Sequence, residues 1–295
     1  MDSQQYSNTL LSDTTMLKTH VRALTQTEGY RNYQDTATLN QAATYIEKVF
    51  LQISSRVTFQ KYRIEGREYK NIICSLGPSE GERIIVGAHY DVCDNQPGAD
   101  DNASGVAGIL ELARLLKDQP LKYRIDIVAY TLEEPPFFKS TGMGSYVHAK
   151  YLHENDIPVK GMVCLEMIGY FSDKTQSQDY PIEIMRWFYG NKGDYILLVQ
   201  KYGNGSFGRS FNREMRKEAR LNTKFLRSPK LITGVDFSDH RNYWNFGYNA
   251  VMITNTAFYR NKNYHTTGDS IETLDFGRMA RVVDGVLLTL TNINK

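Results

Sequence analysis

Imidazoles and carboxylates recur along this 295-residue chain in a pattern suited to holding cations: His89-Tyr90-Asp91, Asp100-Asp101, Glu133-Glu134, Glu166 and Tyr264-His265. Imidazole mixed with carboxylate suits Zn2+ in tetrahedral or five-coordinate geometry. Gathering such groups is costly, since two like charges ~4 Å apart repel by about 4 kcal/mol at an effective dielectric near 20. Protonation offsets that repulsion in paired acids. Bound divalent cations offset it better, and the two imidazoles favour that choice. Two ions bridged by one carboxylate use five ligands in all, an arrangement that supports hydrolysis.

Spacing adds detail. His89 and Asp91 share one face of an extended chain, so Asp91 can accept the second N–H of His89 and fix its tautomer. Glu133 and Glu134 are adjacent and point opposite ways, one able to bind metal and the other to face a substrate. Pro135-Pro136 stiffens the turn that follows and holds Glu134 extended. Each residue has a blander reading: a surface histidine, a solvated acid pair, or an Asp-Asp cap on a helix dipole. The case for a site rests on all of them falling at strand ends together.

The elements that would position them read as follows. Asp35 to Ser54 has helical spacing, with Asp35 or Thr36 as cap. Val57–Tyr62 and Asn71–Leu76 form a hairpin about Glu65-Gly66. Arg83–Ala88, Ile125–Tyr130, Gly161–Met167 and Ala250–Thr254 are short apolar runs suited to strands buried on both faces. Between them lie helices from Ala103 to about Lys117, capped by Asn102, and from Met143 to His153. Ile182–Phe188 and Tyr195–Val199 read as strands, Phe211–Leu221 as a basic helix, and Phe276–Asn292 as a closing amphipathic helix. Alternating strands and helices imply an α/β sheet covered by helices. Ligands of such sheets gather at the carboxyl ends of the strands, and four of these strands deliver a histidine or carboxylate there.

Composition narrows the class. The 35 basic and 33 acidic residues leave a net charge of +2, so neither nucleic-acid nor membrane-surface binding is indicated. The three cysteines, Cys74, Cys93 and Cys164, make no disulfide framework and no CxxC zinc site. No apolar run approaches the ~18 residues that span a bilayer. The polar start MDSQQYSNTLLSDTT lacks the basic and apolar regions of a signal peptide. A cytoplasmic protein is expected, and an exported one without its leader would read the same. No repeat or linker divides the chain, so one domain over 1–295 is expected, with residues 1–55 a helical region packed on it.

Four segments, in order, resemble the co-catalytic zinc aminopeptidases of the bacterial leucyl aminopeptidase, aminopeptidase Y and aminopeptidase S group. They are GAHYDVCDNQPGADDNASGVAGILELARLL, TLEEPPFF, GMVCLEMIGYF and SDHRNYWNFGYNAVMITNTAFYRNKNYHTTGDSIETLD, spanning Gly87 to Asp275. The resemblance implies a three-layer sandwich with a mixed, mostly parallel sheet and helices on both faces. It implies two zinc ions: His89 on one, Glu134 and His265 on the other, and Asp101 bridging. Glu133 would be the general base, Asp91 the partner of the histidine, and Tyr264 a group polarising the scissile carbonyl. Glu166 stands where the best-known members carry aspartate. Its extra methylene must be absorbed by backbone or denticity if it is to hold the His89-side ion.

The function so implied is removal of N-terminal residues from peptides with a free amine. Two alternatives share the resemblance: a glutaminyl cyclase, and a receptor-like relative without activity. The full set His89, Asp101, Glu133, Glu134 and His265 argues against the last. Pocket walls are expected among Phe137, Phe138, Trp244, Phe258 and Tyr259, which serve equally well as core. Asp239-His240 reads as a site wall or a loop pair, His20, His148 and His153 as structural or surface residues, and Cys93 as no nucleophile.

Overall fold

Leu39, Ala42, Ala43, Ile46 and Phe50 bury one stripe of the helix α2 (Thr36–Leu51) in the computed structural model, which describes residues 11–293. Asp35 caps it by accepting the Thr38 N–H at 3.0 Å. A second N-terminal helix, α1 (Thr14–Thr25), is capped by Asp13. Ser12 and Leu11 donate to Asp284 near the other end of the chain. Residues 1–10 of the expected 1–55 helical region, and residues 294 and 295, lie outside the described residues.

Eight strands follow: β1 (Val57–Ile64), β2 (Arg67–Leu76), β3 (Arg83–His89), β4 (Arg124–Tyr130), β5 (Val159–Glu166), β6 (Ile196–Lys201), β7 (Thr223–Ser228) and β8 (Ala250–Thr254). They form one sheet in the order β1-β2-β4-β3-β5-β8-β6-β7. The β1–β2 hairpin turns at Glu65-Gly66, as its residue types predict. β3 pairs in parallel with β4 and β5, β5 with β8, and β6 with β7. The other three joins are antiparallel. Helices α1, α2, α3 (Gly105–Leu116), α6 (Phe207–Glu218) and α8 (Phe276–Ile293) contribute to a core on one face. Helices α4 (Gly144–Glu154) and α7 (His240–Asn245) cover the other. This is the expected three-layer α/β sandwich with a mixed, mostly parallel sheet.

Three local expectations need correction. Ile182–Phe188 is not a strand; a surface excursion there closes as one short helix, α5 (Met185–Tyr189). Its apolar residues find no cover, Trp187 being 89 % and Phe188 76 % exposed, so the pleated burial that a strand needs is absent. Conversely, β7 was hidden by its charges. Lys224 and Arg227 suit an exposed sheet edge, where β7 lies. Helix α6 begins at Phe207, before the basic stretch that advertised it.

The middle of the sheet is tightly packed beside the rim. A Cβ at Gly87 in β3 would lie 2.3 Å from the Tyr130 ring. That ring is tied by hydroxyl contacts of 2.6 Å from Tyr130 to Tyr243 and 2.6 Å from Tyr243 to His148. Overpacking of this kind costs about 1–3 kcal/mol. Gly87→Ala should lose that much in denaturant unfolding, and unchanged stability would show that Tyr130 moves aside freely.

Candidate metal centre

The strands β4, β3, β5 and β8 are neighbours and parallel, so their carboxyl ends share one rim. His89 ends β3 and Glu166 ends β5. Glu133 and Glu134 follow β4. Asp100 and Asp101 sit in the tight turn Ala99–Ser104 that leads into α3, and Tyr264 and His265 in the loop after β8.

At this rim the side chains converge as two groups sharing Asp101. His89 Nε2 lies 3.3 Å from Asp101 Oδ1 and 3.4 Å from Glu166 Oε2. His265 Nε2 lies 3.2 Å from Asp101 Oδ2 and 3.2 Å from Glu134 Oε2. Glu133 Oε2 is 3.9 Å from His89 Nε2. Asp101 Oδ1, Glu134 Oε1 and His265 Nε2 are buried without any hydrogen-bond partner. Tetrahedral zinc with ligands at ~2.0–2.1 Å sets its donors about 3.3 to 3.4 Å apart. Atoms at that spacing, aimed past one another rather than bonded, fit a pair of cations with one carboxylate between them.

Other residues hold these side chains in place. Asp91 was expected to fix the His89 tautomer through its carboxylate. That carboxylate is 3.6 Å from His89 Nδ1, while the Asp91 backbone carbonyl is closer, at 3.2 Å. The carboxylate instead accepts the N–H groups of Glu133 and Glu134, both at 3.1 Å. It therefore aims the acid pair as much as the histidine. Asn102 accepts the Gly105 N–H at 3.0 Å, but α3 starts at Gly105 rather than Ala103, so Ser104 and not the expected Asn102 stands at its N-cap. Glu166 accepts a 2.5 Å hydrogen bond from Ser238 Oγ.

Several positioning roles went unread in the sequence. Asp100 ties together the loops after β5 and β8, accepting from Gly169, Tyr170, Asn255 and Asn261. Asp269 accepts the N–H groups of Asp100 and Asp101 at 3.0 and 2.9 Å. Its place in HTTGD, just after His265, was the available signal. Arg31 had none. This buried guanidinium donates to the Pro97 and Gly98 carbonyls and holds the turn that carries Asp101.

The aromatic expectations divide. Phe138 and Phe258 line the cleft at the acids, and Phe258 and Tyr259 line an apolar cavity beside it. Phe137 and Trp244 are core. Tyr264 lines both and stacks on His265 with ring centroids 3.7 Å apart. His240 is no wall, being buried edge-on to Trp244 and bonded to the Val235 carbonyl. His20 and His148 are structural, each bonded to a tyrosine.

Burial dominates the acid–base balance. It lifts Glu133 far above the usual carboxylate range, Glu134 to about 8 with Asp101 adding to the push, and Asp239 to about 7. Burial alone would lower His89, but Glu166 and Glu133 raise it well above its ordinary value. Arg31, pushed down by burial to about 10, remains charged beside Asp269 and Asp101.

The profile of peptidase family M28 matches residues 71–290. The Escherichia coli K12 protein YfbL is 46% identical over 284 residues, covering 94% of this chain and 87% of its own. Among solved structures, the LapA aminopeptidase of Legionella pneumophila superposes with a TM-score of 0.76 at 18% identity, covering 96% of this chain and 70% of that one. Porphyromonas gingivalis glutaminyl cyclase superposes with a TM-score of 0.73 at 20% identity, covering 97% and 100%. The chain belongs to peptidase family M28.

A titration follows from the buried charges. Carboxylates raised on folding bind more protons in the native state than in the unfolded one, so stability falls as pH rises. For Glu134 the window runs from the ordinary 4.5 to about 8, and for Asp239 from 3.8 to about 7. The raised His89 and His265 act in the same direction, from the ordinary 6.5 upward. His20, His148 and His240, each lowered by burial to about 4, oppose it between 4 and 6.5. Chelated protein should therefore lose thermal stability from about pH 6.5 to 8, and added Zn2+ should restore it. A flat profile would refute this charge balance.

Proposed function

We propose that this member of peptidase family M28 is a zinc-dependent aminopeptidase, one catalytic domain spanning the chain. It would hydrolyse the first peptide bond of substrates with a free N-terminus. The observation that carries the reading is the pair of donor groups meeting at Asp101, with Glu133 beside them, its Oε2 3.9 Å from His89 Nε2. His89, Asp101 and Glu166 would hold one zinc ion, and Asp101, Glu134 and His265 the other. Glu166 would serve as a ligand despite its extra methylene, its carboxylate accepting a hydrogen bond from Ser238 Oγ.

When bound, the zinc pair would supply hydroxide near neutral pH and Lewis acidity toward the carbonyl. The chain's own groups do the rest. Glu133, ionised beside the bound cations, would take a proton from the attacking water and return it to the departing amine. The Tyr264 hydroxyl, at the cleft wall beside His265, donates to the developing oxyanion. The apolar cavity lined by Tyr195, Met252, Phe237 and Phe258 opens beside Glu166 and Tyr264 and receives the first side chain. Acidic groups at the cleft attract the free α-ammonium.

Glutaminyl cyclisation is the second reading, favoured by the full-length superposition on the Porphyromonas gingivalis cyclase. Against it stands the completeness of the His89 group, since a cyclase often works with one zinc. Incubation of zinc-loaded protein with aminoacyl-anilides and a Gln-initiated peptide separates them. Free amino acid and anilide are expected. Pyroglutamate without amino acid release would replace hydrolysis by cyclisation, and activity indifferent to exhaustive chelation would remove the metal from either.

Glu133→Gln should lower kcat by ~10² to 10⁴ while elemental analysis still finds the metal content of the parent. High residual turnover would move the base elsewhere. Tyr264→Phe should cost about 10² to 10³ in kcat with little change in KM, and an effect confined to KM would make Tyr264 a binding wall only.

A further inference from the structure

Cys93 stands apart from the other two cysteines. Cys74 lies in the main core, and Cys164 contacts the Ser238 hydroxyl at 3.2 Å and the His240 backbone. Cys93 instead lies on the loop after β3, and its sulfur joins donor atoms of Glu134 and His265, all within 4.8 Å of one another. The Cys93 thiol also donates to Asp94 Oδ2, at 3.8 Å.

The loop is held in that position. Val92 N–H donates to the Arg31 carbonyl at 3.1 Å, Asn32 Nδ2 to the Asp94 carbonyl at 2.8 Å, and Arg31 to Pro97 and Gly98. A sulfur so placed is not a chance surface thiol. The two residues it approaches each keep a buried atom without a hydrogen-bond partner, Glu134 Oε1 and His265 Nε2.

We infer that Cys93 supplies a thiolate ligand to the cation held by Asp101, Glu134 and His265, making the two metal positions chemically unequal. Binding releases the thiol proton to solvent as the metal–sulfur bond forms. Four protein donors then close this position, as in sites that retain their metal. His89, Asp101 and Glu166 provide three and leave the other position open, as in sites that exchange water or substrate. A soft sulfur donor also biases the closed position toward zinc or cadmium over magnesium or manganese.

The inference rests on the two-cation reading above, and its test reads coordination rather than turnover. X-ray absorption at the zinc edge of the loaded full chain should show a sulfur shell near ~2.3 Å, amounting to one sulfur per chain. Cys93→Ser should lose that shell. Native thiol alkylation followed by mass spectrometry gives a second readout that needs no variant. Loaded protein should resist modification, and chelated protein should take one adduct, at Cys93. Zinc bound through nitrogen and oxygen alone, or equal alkylation in both states, overturns the thiolate ligand while leaving the peptidase reading intact. A chain that takes up no zinc overturns both.

Discussion

Negative charge buried at one rim is the constraint on which the rest of this structure turns. Asp101, Glu133, Glu134 and Glu166 are all buried around two imidazoles. Water screens none of them well, and the chain alone does not pair them fully. Asp101 Oδ1 and Glu134 Oε1 are left with no hydrogen-bond donor, a cost a folded protein rarely bears without return. Divalent cations, as proposed for this site, would account for the arrangement in a way that protonation does not. A protonated acid would still need a partner for its remaining oxygen, whereas one ion satisfies several donors at once.

The surroundings follow from the same constraint. A rim this charged can hold its shape only if the backbone around it is tied from outside. Asp91 receives the N–H groups of the acid pair, Asp269 those of Asp100 and Asp101, and Asp100 those of the β5 loop. Carboxylates thus serve as hydrogen-bond acceptors one layer behind the carboxylates that face the cleft. Arg31 adds a buried positive charge from the N-terminal region, before the stretch that the family profile matches. The helical region at the start of the chain therefore takes part in building the rim and is more than a cover over the sheet.

Legibility in the sequence followed burial and periodicity. The central strands were readable because burial on both faces leaves an unbroken apolar run, and α2, α4 and α8 because one buried stripe repeats at helical spacing. The edge strand β7 and the excursion at α5 were misread for a common reason. At an edge or on the surface, composition reflects solvent rather than secondary structure. The rim residues were readable because parallel strands end together, so chemistry-bearing residues after apolar runs must meet. Arg31, Asp269 and Ser238 were not, because a residue that acts by holding a distant loop has no local pattern to betray it. Cys93 was set aside for a related reason. One cysteine between HYD and ADD has no partner in sequence, and only the fold carries Glu134 and His265 to its side.

Two solved structures with different named activities superpose on this chain almost equally well, so the backbone does not choose between hydrolysis and cyclisation. The choice lies in which donors reach Asp101 from the β3 and β5 side. An attacking water needs a position open to it and a base within reach, whereas cyclisation uses the substrate's own amine as nucleophile and needs no such water. Here the longer Glu166 reaches His89 to 3.4 Å because Ser238, in the turn before α7, draws its carboxylate into line. The substitution of glutamate for aspartate is thus matched by a hydroxyl from the opposite wall. That coupling holds the Glu166 carboxylate beside His89.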